Sequence, residues 1–184
     1  MFKRTKLHIT TAIPALLMAA ILGAATFALN QPVHAQSDKD RSEIIENATF
    51  KDMDGNTVSV SDFEGKVVLV DFWETWCGPC LESFPTMQKL VEEYPEKFAV
   101  LAVTPGFNDT KKDAENFIKE KDYDFTFVMD ENSEISKKLG IRAIPFKIVL
   151  DSNGEFVKTI VGSKGSEKDY KSTRNLINKH YQAR

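Results

Sequence analysis

Cysteine and histidine are scarce in this 184-residue chain: two of one, Cys77 and Cys80, and three of the other, His8, His34 and His180. A zinc centre takes four ligands, most often Cys and His, and no further Cys, His or carboxylate is spaced to complete a set around the pair. A purely structural role for one bridge is equally weak. Two intervening residues close so short a loop that little chain entropy is removed. Basic clusters are missing too. Beyond residue 35 the formal net charge drops from −3 to −6, because Lys3, Arg4 and Lys6 are left behind and no acid precedes that point. A mildly acidic chain without a cationic patch does not suit nucleic acid. Internal repeats and low-complexity segments are likewise absent.

The start of the chain is different in kind. MFKRTKLH is cationic, an apolar run extends from Ile9 to Leu29, and Val33 and Ala35 stand at the −3 and −1 positions of a small-residue cleavage site. A signal peptide over 1–35, cut after Ala35, is the expectation. An uncleaved membrane anchor through residues 9–29 is the alternative, since 21 residues at 1.5 Å each span a bilayer core of about 30 Å. Both readings export residues 36–184. Outside the cytoplasm two thiols drift toward a disulfide. A dithiol that acts there as a reductant needs a supply of electrons.

Residues 36–47 are polar and read as a linker with at most one helical turn; 48–184 read as one domain. ATFKDMDGNTVSV gives two short alternating runs around Asp54-Gly55, a hairpin signal. VVLVDFW (67–73) is a continuous apolar run holding one charge, Asp71, and suits a central strand buried on both faces. Leu81, Phe84, Met87, Leu90, Val91 and Tyr94 then fall on one helical stripe, with Pro85 inside it as an expected kink. FAVLAV is the next strand and TPGFND a loop. A helix over KKDAENFIKEKDY, a strand at 125–129 and a short helix ending at Gly140 follow. PFKIVL and EFVKTIVG form a second hairpin around SNG. A last helix starts near Ser166 as N-cap. Strands and helices alternate in the middle with a hairpin at each end: an α/β layer, a mixed sheet with helices on both faces.

The Cys pair sits between the buried strand and the start of a helix. Unpaired N–H groups at a helix N-terminus favour a thiolate on Cys77. A thiol with a pKa near ambient pH both attacks and leaves well. Gly78 and Pro79 fit the first turn, where proline loses no needed hydrogen bond. Cys80 faces inward one turn on, close enough to close a disulfide. A CxxC at such a junction points to redox chemistry.

VDFWETWCGPC resembles the active-site segment of thioredoxin. Pro85 matches the helix proline of that family, and LGIRAIPFKIVLDSNGEFVKTIVG is similar to its cis-proline strand and hairpin, with Pro145 at the cis position and Gly162 at a late glycine. The likeness covers about 67–103 and 138–182. The leading hairpin, the central αβ insertion between Val103 and Pro145, and the export segment resemble the TlpA/ResA-like oxidoreductases of bacterial envelopes. Peroxiredoxins share the additions but lack the WCGPC pair. This chain departs from the ResA-like pattern in three places. Ser83 stands where Glu is usual, Asp71 where Asn is usual, and Phe146 follows the cis-proline in place of Thr.

The resemblance implies a thioredoxin-like α/β fold with a central mixed β-sheet. It implies a thiol–disulfide oxidoreductase whose redox-active disulfide, Cys77–Cys80, is its only cofactor. Cys77 attacks and Cys80 resolves. Asp71, if buried, relays a proton for Cys80; a solvated edge-strand charge is the plainer alternative, and Glu82 is a second carboxyl within reach of that role. Trp76, Gly78, Pro79, Ile144 and Pro145 form the expected substrate-binding surface, with Trp76 as a platform beside the thiol and Trp73 in the core. Glu74 is either a solvated charge or a group that disfavours the thiolate. The expected partners are disulfide-containing exported proteins, with a membrane electron donor if the direction is reductive. An oxidase or isomerase of folding proteins, a peroxiredoxin-like antioxidant and a non-catalytic binding module are the competing classes.

Overall fold

The computed structural model describes residues 37–183. The signal or anchor expected over 1–35 lies outside them; among the described residues no helix is long and apolar enough to cross a membrane. Chain order is α1 (Asp38–Glu46), β1 (Thr49–Asp52), β2 (Thr57–Ser59), a 3-10 turn at Val60–Phe63, β3 (Val67–Phe72), α2 (Gly78–Glu93), β4 (Phe98–Thr104), α3 (Lys111–Glu120), β5 (Thr126–Met129), a 3-10 turn at Glu131–Ser133, α4 (Glu134–Lys138), β6 (Phe146–Leu150), β7 (Phe156–Val161) and α5 (Ser166–His180).

The strands form one seven-stranded sheet in the order β2-β1-β5-β4-β3-β6-β7. β3, β4 and β5 run parallel, while β1, β2, β6 and β7 pair antiparallel. The sheet is therefore mixed, with a hairpin at each edge. Gly55 makes the first hairpin turn at φ +89°, a conformation open to glycine without a Cβ penalty. The central insertion supplies α3 and β5, and β5 is the strand on which the leading hairpin pairs.

Strand parity sorts the two faces. Val68, Val70 and Phe72 of β3 pack with Phe146, Ile148 and Leu150 of β6, Ile45 of α1 and Leu139. Val67, Leu69, Trp73 and Val149 pack on the other side with Phe84, Met87 and Leu90 of α2 and Ile177 of α5. Asp71 and Lys147 share that second parity, on the face that α2 and the cysteines cover. There Trp73, Phe84, Phe117, Phe125 and Phe127 meet at ring-centroid distances of 4.9–6.3 Å, edge-on and tilted arrangements that aromatic quadrupoles favour.

Two expectations need correction. Residues 38–46 are not a linker but a helix. Ser37 and Asp40 form a capping box, Ile45 is fully buried, and Glu46 Oε1 accepts the Phe156 N–H of β7 at 2.8 Å. Two adjacent isoleucines anchor the segment, and polar composition concealed them. Ser166 does not cap α5. Gly165 holds the cap position without a side chain, and Asp169 in the first turn accepts the Lys164 N–H and the Ser163 hydroxyl.

Candidate active site

β3 delivers the chain to the face edge, and residues 73–77 turn it into α2. Trp73 N–H still donates to Val103 O at 3.0 Å, and Cys77 N–H to Glu74 O at 3.0 Å. Cys77 is the N-cap residue of α2. Its carbonyl accepts the N–H groups of Cys80 and Leu81, and its Sγ also accepts the Cys80 N–H at 3.3 Å. The sulfur thus lies at the positive end of the helix with a donor aimed at it, an arrangement that favours negative charge on Cys77 once it is reduced. Pro79 sits in the first turn, where its missing N–H costs nothing. The two cysteines form a disulfide with Cα atoms 5.3 Å apart. Cys77 keeps 3% of its surface and Cys80 none, which leaves Cys77 the more accessible of the two. Gly78 and Pro79 are exposed beside it.

On the same sheet face lies a buried polar group of three, Asp71, Lys147 and Ser83, which reaches the Cys80 carbonyl through Ser83. Asp71 is fully buried, and its two carboxyl oxygens have no hydrogen-bond partner among the described residues. Lys147, directly opposite in the β3–β6 ladder, is 3% exposed and brings Nζ to 3.9 Å from Asp71 Oδ2, within ion-pair reach but beyond hydrogen bonding. Burial pushes the Asp71 carboxyl up to about 6, the Lys147 charge pulls against it, and Asp169 adds to the rise. Lys147 Nζ also approaches Ser83 Oγ at 3.4 Å, and the Ser83 hydroxyl donates to the Cys80 carbonyl at 2.8 Å. At position 83 the site thus has a small hydroxyl with a cation beside it.

The wall of the site is acidic. Glu74 is fully buried, and its carboxylate accepts the Trp76 indole N–H and the backbone N–H groups of Phe107 and Asn108. Asp109 accepts the Thr75 N–H and hydroxyl in return. Glu74 is therefore not the solvated charge that was one of its two expected readings. Its hydrogen bonds turn it toward the loop after β4. Trp76 stands 55% exposed next to Cys77, while Trp73 is wholly in the core.

The Ile144–Pro145 peptide is cis. Pro145 is buried, Ile144 is half-buried against both cores, and the Pro145 carbonyl accepts the Gly162 N–H at 2.8 Å. Glu82 is exposed on α2, whereas Asp71 is fully buried. The sequence did not point to Lys147, Glu74 in its clamping role, or Asp109. A lysine inside the apolar strand PFKIVL was the one available signal for the first. Among the described residues no cluster of His, Cys, Asp and Glu is arranged to hold a metal ion.

These are the fold and the dithiol of the thioredoxin-like thiol–disulfide oxidoreductases, and the protein is an enzyme of that class. Residues 39–177 match the Redoxin family, to which the chain belongs. The protein is similar to the thiol–disulfide oxidoreductase ResA of Bacillus thuringiensis subsp. konkukian, 29% identical over 154 residues that cover 83% of this chain and 88% of ResA. Among solved structures it is similar to a protein described as thiol:disulfide interchange protein DsbE from Chlorobium tepidum, at 30% identity and TM-score 0.62, covering 71% of this chain and 91% of that one. It is also similar to the exposed lipoprotein thioredoxin Etrx1 of Streptococcus pneumoniae, at 27% identity and TM-score 0.61, covering 72% and 98%.

Proposed function

We propose that the Cys77/Cys80 dithiol works reductively, on disulfides of proteins outside the cytoplasm. The observation that carries this reading is the fully buried Asp71 carboxyl, without a hydrogen-bond partner among the described residues, on the sheet face that the cysteines cover; we assign it as the proton acceptor for the releasing thiol. In the forward cycle Cys77 thiolate attacks one sulfur of a target disulfide. The target S–S bond breaks, the departing sulfur takes a proton, and a mixed disulfide remains. Cys80 gives its proton to Asp71 and attacks Cys77 Sγ. The Cys77–Cys80 bond forms, and the second target sulfur leaves as a thiol. Two electrons have passed to the target, and a dithiol donor, membrane-bound in this setting, restores the pair by the reverse exchange.

Trp76, Gly78, Pro79, Ile144 and Pro145 supply the surface on which the target lies, with the Ile144 backbone offered for strand-like pairing. An extracytoplasmic setting is supported by the similarity to Etrx1, an exposed lipoprotein, and by the apolar run 9–29. Apocytochrome c, the substrate that ResA-like proteins of cytochrome c maturation suggest, falls within this class. Ser83 in place of the usual Glu leads us to assign the broader class of exported protein disulfides. The test is equilibration of the pair against glutathione. A reducing couple near the thioredoxin value of about −270 mV is expected; a potential above about −180 mV, the isomerase range, would assign the protein to oxidation or isomerisation.

A further inference from the structure

Trp76 and Phe107, with Val161, are the large apolar side chains left open to solvent among the described residues, at 55% and 40% for the first two. Trp76 precedes the attacking cysteine, Phe107 stands in the loop after β4, and one buried side chain holds both. Glu74 Oε2 accepts the Trp76 indole N–H at 2.5 Å, and Oε1 accepts the Phe107 backbone N–H at 2.5 Å. Asn108 N–H lies 3.1 Å and 3.3 Å from the two oxygens. Asp109 answers from the loop side, accepting Thr75 N–H at 2.5 Å and Thr75 Oγ1 at 2.9 Å. Two carboxylates bridge the same two segments in opposite directions.

Buried acids are costly unless hydrogen-bonded, so this doubled bridge fixes both segments together. Its consequence is for capture. A tryptophan free to rotate loses that freedom when a ligand packs on it, whereas one already held loses little. We propose that Glu74 is a positioning residue for capture of polypeptide disulfides, holding Trp76 and the Phe107 loop as a preformed aromatic rim beside Cys77. The rim grips an apolar side chain next to the target half-cystine. This rests on the oxidoreductase reading above and adds a substrate preference to it.

Glu74→Gln separates the functions. The amide keeps an oxygen for Phe107 and Asn108 but turns an NH₂ toward an indole that can only donate, so Trp76 is released. Trp76→Phe probes the same bond from the exposed side, keeping a ring and losing the N–H without disturbing core packing. Both variants and their combination are assayed with dithiothreitol as reductant on two substrates. Insulin is a polypeptide disulfide; bis(2-hydroxyethyl) disulfide has no side chain to grip. The ratio of kcat/KM for insulin over the small disulfide falls about tenfold in each single variant, as for one lost charge-assisted hydrogen bond. The loss appears in KM, and the double variant loses no more than either single one. Nitrogen NMR of the Trp76 indole shows slow proton exchange in the parent protein and fast exchange in Glu74→Gln. An unchanged ratio, single effects that multiply in the double variant, or an indole proton equally labile in both proteins overturns the proposal. A parent protein that turns over neither disulfide overturns the oxidoreductase reading and this inference with it, a result distinct from the others.

Discussion

Lys147 stands directly across the β3–β6 ladder from Asp71, and its ammonium stops 3.9 Å from the Asp71 carboxyl with both side chains out of water. The pair is a compromise. Desolvation favours the neutral acid, the lysine charge favours the carboxylate, and desolvation wins, leaving the carboxyl at about 6. Near neutral pH such a group both accepts and returns a proton, as a relay must.

Asp71→Asn removes the acceptor and leaves the helix terminus around Cys77 untouched. First attack on a model disulfide stays nearly intact. Release of the mixed disulfide slows by roughly 10²–10⁴-fold, the range for loss of a general base. Stopped-flow reduction with acid trapping of the intermediate counts it directly. Equal slowing of attack and release, or no change in either, assigns Asp71 a structural role.

The same carboxyl makes stability depend on pH in a stated direction. Its folded value of about 6 lies above the ordinary 3.8, so between these values the folded protein holds more of the proton than the unfolded chain. Stability contributed by the neutral acid is present below about pH 4 and is lost as pH rises through 6. The loss is about 3 kcal/mol in all. Urea midpoints of the oxidised protein and of Asp71→Asn, measured from pH 4 to 8, give a difference that grows with pH and levels above 6. A difference flat across that window contradicts the assignment. Lys147 holds the gain of Asp71→Asn at pH 8 below the full amount, because the substitution leaves a buried cation without its counter-charge.

Lys147→Met removes the group that pulls the Asp71 carboxyl down. The midpoint in the pH profile of mixed-disulfide release moves upward. Breaking the pair costs on the order of 3 kcal/mol at pH 8 and far less at pH 5, where Asp71 is already neutral. The double variant Asp71→Asn, Lys147→Met recovers most of that stability. A release profile unmoved by Lys147→Met would separate the lysine from the relay.

Export is tested at the N-terminus. In cells that make the full chain, the protein is recovered outside the cytoplasm, beginning at Gln36 or retained whole in the membrane fraction. A soluble cytoplasmic protein that keeps Met1 would refute it.

The sequence alone determined what depends on neighbours a few residues apart. WETWCGPC placed a reactive pair at a strand–helix junction because an apolar run, a proline suited to a first turn and a helical stripe follow one another within about thirty residues. The same local reasoning placed both hairpins and put Asp71 inside a strand whose six residues are all buried. Tertiary structure decided everything that depends on residues brought together from far apart. Register, not spacing, sets Lys147 against Asp71, 76 positions away, and a single slip would turn the lysine to the opposite face. Glu74 looked like a charge beside a thiol until a loop 33 residues on supplied N–H groups that its carboxylate could accept. Ile45 turned a polar stretch into a helix only because β7 and the sheet face were there to receive it. Side-chain periodicity reports which face is apolar; which buried charge meets which partner is settled only when the strands align.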